Sequence, residues 1–89
     1  MRIDKLLWYL RLAKTRATAQ AMVEEGRVRM GGSRVERAST AVRVGAVLTL
    51  RLGDGDGSAG IHIVRVLSLP HRRGPSDEAR ACYENAGAL

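Results

Sequence analysis

Six basic side chains, Lys5, Arg11, Lys14, Arg16, Arg27 and Arg29, stand in the opening third of this 89-residue chain. A guanidinium can grip two phosphate oxygens through paired hydrogen bonds, and an ammonium adds a mobile point charge, so the set suits a sugar-phosphate backbone. The charge is unevenly placed. Residues 1–37 hold nine Lys/Arg against four Asp/Glu, a balance of +5 within a net +6, whereas residues 38–89 hold six against five. A basic stretch on a folded scaffold attracts polyanions, most often nucleic acid. Trp8 falls off the apolar side of its helix. There it either stacks on an unpaired base, worth about 1–3 kcal/mol, or packs on the terminal segment.

Other chemistry finds little support. Gly55–Gly60 formally matches GxGxxG, but it precedes a strand-like run, Ile61–Val64, where a dinucleotide site needs a helix. The Asp54/Asp56 pair resembles the start of a calcium loop, yet Ala59 stands at the required Gly and Arg65 at the final Glu. His62, His71 and Cys82 lie in no nucleophile–base spacing and read as structural residues. The lone Cys82 excludes an internal disulfide and argues against zinc. No catalytic residue, metal or cofactor is expected, and the chain reads as a binding protein.

These basic residues must be held by short elements. Ile3, Leu6, Leu7 and Leu10 recur at i, i+3, i+4 and i+7 and predict a first helix, with Asp4 capping or balancing its first turn. Thr15 is a candidate N-cap for a second helix over 16–25, stopped by Gly26 in the left-handed C′ position. Its core face is Ala19, Met22 and Val23, and the small Ala17 and Ala21 would admit another backbone. Arg16 and Gln20, four apart, project together. The period then changes to two: Val28 and Met30 point one way, Arg27 and Arg29 the other, before the turn pair Gly31-Gly32. Val42, Val44, Val47, Leu48, Leu50 and Leu52 mark a strand region interrupted by Gly45, and Ile61–Leu67 mark its hairpin partner across a Gly/Asp loop at 53–60. A short helix should start at Ser76. The class is α+β: two short N-terminal helices packed on a small, mostly antiparallel sheet, with a short C-terminal helix.

At 45% hydrophobic and 27% charged, the chain has the composition of one globular domain, too small for a multi-domain enzyme. The apolar run Leu6–Leu10 is far too short for a membrane span or a signal-peptide core, so no membrane partner is expected and the chain reads as cytoplasmic.

Three runs, Arg2–Trp8, Lys14–Ala17 and Val23–Gly32, resemble the S-four RNA-binding domain, named after a ribosomal small-subunit protein. The resemblance covers about residues 2–50 and implies an RNA-binding domain over 1–70, with 71–89 a C-terminal loop and short helix. The late Arg72–Ala79 segment adds likeness to a ribosome-associated heat-shock branch, which implies ribosomal RNA on the large subunit and a heat-shock or stalled-ribosome recycling role. By resemblance the contacting positions are Arg2, Lys5, Arg11, Lys14, Thr15, Arg16, Gln20, Arg27 and Arg29, with Trp8 added from its place on the helix. Two departures from the family pattern are the turn Gly31-Gly32 in place of Asn-Gly, and Ala38 in place of a Pro. Backbone charge alone also fits DNA, or an acidic protein partner docking on the Arg27/Arg29 strand. The basic residues are expected to converge into one cationic platform.

Overall fold

The computed structural model describes residues 1–51 and 60–87. Leu52, Asp54, Asp56 and the GxGxxG match apart from Gly60 lie outside the described residues. Helices α1 (Ile3–Tyr9) and α2 (Arg16–Glu24) come first, followed by strands β1 (Val28–Met30), β2 (Ser33–Arg34), β3 (Val47–Arg51) and β4 (Ile61–Val66), then α3 (Ser76–Arg80) and β5 (Tyr83–Gly87). All neighbouring strands are antiparallel, in the order β2-β1-β3-β4-β5.

Both ends of α2 and the β1–β2 turn have local causes. The Thr15 hydroxyl accepts the Thr18 N–H at 3.0 Å and satisfies one orphan donor of α2. At the other end Gly26 takes φ +74°, its N–H reaches the Val23 carbonyl at 3.0 Å, and the Arg27 N–H reaches Met22 at 2.9 Å. These are the two bonds of a Schellman stop, closing α2 one residue earlier than expected. Gly31 and Gly32, at φ +60° and +86°, form the tight β1–β2 turn that needs two left-handed residues.

The core gathers the stripe Ile3, Leu6, Leu7 and Leu10, the α2 face Ala19, Met22 and Val23, and one side of the sheet, Val28, Leu48, Leu50, Val64 and Val66. The helices therefore cover one face of the sheet, and alternation sends Arg29 and Thr49 to the other.

Three expectations change. Val42, which is buried, and Val44, which is 59% exposed, both lie outside β3, because the chain turns at Gly45 (φ +93°) and the strand begins at Val47. Ala17 is exposed and admits no neighbouring backbone, since the packed face of α2 runs through Ala19 and Val23. The C-terminal segment also supplies β5, whose pairing with β4 adds an edge strand after the expected short helix.

Leu7→Ala, at a wholly buried position, should cost about 2–5 kcal/mol, and Thr15→Ala about 1 kcal/mol through the lost cap. Urea unfolding with an unchanged m-value checks both.

Candidate nucleic-acid interface

Between α1 and α2 sits one charged residue that is 0% exposed, Asp4. On a helical wheel it lies about 60° from Leu7, at the margin of the apolar stripe that faces α2. Its carboxylate receives donors from both helices. Arg2 forks onto it, Nε to Oδ1 at 3.0 Å and Nη2 to Oδ2 at 3.1 Å. The Lys5 N–H donates to Oδ1 at 2.8 Å and Gln20 Nε2 to Oδ2 at 3.0 Å. Arg16 Nη2 stands 3.4 Å from Oδ2. The i, i+4 spacing of Arg16 and Gln20 on α2 aims both at this one group.

Burial pushes the Asp4 carboxyl up, but the Arg2 fork, the Gln20 amide and the Lys5 N–H outweigh it and bring the pKa from 3.8 down to about 2. Asp4 is the residue that sequence reasoning placed too modestly, as a first-turn charge. Its position beside the stripe, with basic residues before and after it, was the signal that it is buried and paired.

The other site residues have distinct fates. Lys5 Nζ lies 5.3 Å from the centre of the Tyr9 ring, and Lys14 is exposed beside the start of α2. Thr15 is occupied as the cap. Arg11, at φ +60°, donates through Nε to the Gly74 carbonyl at 2.8 Å. Arg73 donates to the Trp8 carbonyl at 3.1 Å and holds its guanidinium carbon 5.9 Å from the Trp8 ring centre. Trp8 thus contacts the terminal segment through Arg73. Arg72 pairs instead with Glu78.

Arg27 and Arg29 do not join the Asp4 group. Arg27 follows the end of α2, whose nine residues separate it from Arg16 by about 13 Å of helix. Arg29 leaves β1 on the side opposite the buried Val28. The single platform expected from sequence divides into two patches, one at each end of α2, while strand alternation turns Arg29 to the sheet face away from the helices. Arg34, absent from the sequence-derived set, belongs to the second patch. Its Nη2 donates to the Glu24 carbonyl at 3.2 Å and its guanidinium covers Gly26, where an added Cβ would lie 3.0 Å from Cζ. It thus places a cation on the negative end of α2.

Stability from the Asp4 pairing is full above the ordinary carboxyl range and is lost as pH falls from 3.8 through about 2. Asp4→Asn should therefore remove about 2 kcal/mol at neutral pH, with the gap to the unsubstituted protein shrinking in acid. Urea unfolding of the two proteins over an acid series measures this.

Comparison with known proteins places this geometry. The S4 domain family matches residues 1–48. Heat shock protein 15 of Escherichia coli (strain K12) is 39% identical over 84 residues, covering 94% of this chain and 59% of that protein. The RQC P-site tRNA stabilizing factor of Halalkalibacterium halodurans is 42% identical over 53 residues, 60% of this chain and 59% of that protein. The present chain thus spans about three-fifths of the length of these curated relatives. The trimeric structure of Vibrio cholerae heat shock protein 15 superimposes with a TM-score of 0.85 at 34% identity, covering 97% of this chain and 81% of that one. The helix pair with its buried carboxylate, the following hairpin and these matches together assign the chain to the S4 domain family.

Proposed function

We propose that this chain is a non-enzymatic binding protein for structured RNA, acting in the cytoplasm on ribosomal RNA of the large subunit, in a heat-shock or stalled-ribosome recycling role. The observation that carries the reading is the group of basic side chains at the start of α2, with Lys14 exposed beside it and Arg16 held at its first residue by a carboxylate whose charge Arg2 already compensates. The names of the relatives support the ribosomal setting, since one is a heat shock protein and another stabilizes a P-site tRNA. The S4 family supports RNA over DNA.

Phosphate contacts dominate such an interface, and selectivity comes from the shape of the RNA. An RNA running along α2 meets Lys5, Lys14 and Arg16 at one end and Arg27 and Arg34 at the other, while Arg29 faces the opposite side of the sheet. Arg2, Gln20, Thr15, Arg11 and Trp8 support that surface from their protein-bound positions.

Neutralising about five phosphates gives a slope of log K against log salt of roughly −3.5 for single-stranded and −4.5 for duplex RNA. Binding to a ribosomal RNA fragment over a salt series tests this, and a flat response contradicts it. Replacing Lys14 and Arg16 together by Ala should weaken RNA binding by about 1–3 kcal/mol, roughly 5–150-fold, and leave the thermal melt in place. Unchanged affinity in that double variant would remove the start of α2 from the interface.

A further inference from the structure

The five donors around Asp4 are not equivalent. An ionised carboxylate offers about four lone-pair sites. Arg2 Nε, Arg2 Nη2, the Lys5 N–H and Gln20 Nε2 fill four, two on each oxygen, at 2.8–3.1 Å. Arg16 comes as a third donor on Oδ2, at 3.4 Å, beyond the usual range of about 2.7–3.2 Å for an N–H donor. Its Nε is shielded from solvent and has no acceptor among the described residues, so this pose leaves a donor unpaired. Exposure does not separate the two arginines, whose side chains are 49% exposed for Arg2 and 40% for Arg16; the long single contact and the unpaired Nε of Arg16 do.

We propose that Arg16 is an exchangeable guanidinium, resting on Asp4 in the free protein and transferring to a phosphate oxygen of bound RNA. Arg2, Gln20 and the Lys5 N–H stay behind and keep Asp4 fully paired. The transfer leaves no buried charge uncompensated, because the Arg2 fork alone supplies the opposite charge. Arg2 and Gln20, both expected to touch RNA, are on this account positioning residues. The proposal rests on the RNA-binding reading above and adds which of the clustered side chains makes the contact.

The test uses nitrogen-15 spectra of arginine Nε–H groups in the full chain. Signals are assigned with Arg16→Lys and Arg2→Lys and followed on addition of a short synthetic RNA stem-loop or of inorganic phosphate. The expected result is a shift of the Arg16 signal with RNA only, while the Arg2 signal holds its frequency. A moving Arg2 signal, or a still Arg16 signal in the bound complex, overturns the proposal. An Arg16 shift produced equally by inorganic phosphate marks a free-anion site and overturns it too.

A second measurement needs no RNA. Arg16→Gln should leave the acid-unfolding midpoint unchanged, and Arg2→Gln, or the milder Arg2→Lys, should raise it. If Arg16→Gln raises the midpoint as far as Arg2→Gln does, Arg16 is structural and the exchange is refuted. If the unsubstituted protein fails to bind any RNA, the functional reading falls instead, and the acid comparison still decides whether Arg16 is surplus to Asp4.

Discussion

A carboxylate enclosed between two helices must be compensated where it lies, and everything at the α1–α2 face follows from how Asp4 meets that demand. An ion of this kind left alone in an apolar interior costs several kcal/mol even after relaxation. Here the Arg2 fork, the Gln20 amide and the Lys5 N–H answer it from both helices. The same bonds tie the first turn of α1 to the first two turns of α2. They therefore set which basic side chains are committed to the protein and which stay outward. Lys14 and Arg16 gain their place from this bond set rather than from charge density alone.

The second constraint is the sheet. Helices cover one of its faces, so β1 must alternate between core and solvent, and Val28 inward means Arg29 outward. With α2 lying between Arg16 and Arg27, the basic side chains at its two ends stand a helix length apart, and Arg27 is paired with Glu25. The C-terminal segment closes the far end of α1, where Arg73 lies over Trp8 and Arg11 holds the Gly74 carbonyl. Aromatic and basic residues that sequence reading would assign to a ligand are there engaged with each other.

Much of this fold was legible because its signals are local. The Ile3/Leu6/Leu7/Leu10 stripe, the Thr15 cap, the Gly26 stop, the Gly31-Gly32 turn and the β3–β4 hairpin are each written in a few adjacent residues, and each is present. β5 was not legible, since Tyr83–Gly87 has no β-branched residue and becomes a strand only because the β4 edge is free to pair. At the candidate site, residue types and the pairing of Arg16 with Gln20 could be read from their spacing. Their shared partner could not, because the contacts to Asp4 span 12 and 16 residues and depend on how the helices cross. Convergence of Arg29 with Arg16 was overestimated although the alternation of β1 was legible, because Val28 faces the helices and sends Arg29 to the other face.

The central claim is that RNA lies along α2 and enters at its N-terminal end. The most direct measurement is amide chemical-shift mapping of the isotope-labelled full chain during titration with a short RNA stem-loop. The account predicts the largest changes at Lys5 and Lys14–Arg16, continuing to Arg27 and Arg34, with Arg65 and Glu84 on the β4–β5 side unmoved. Shifts centred on β4 and β5, with the start of α2 silent, would contradict it.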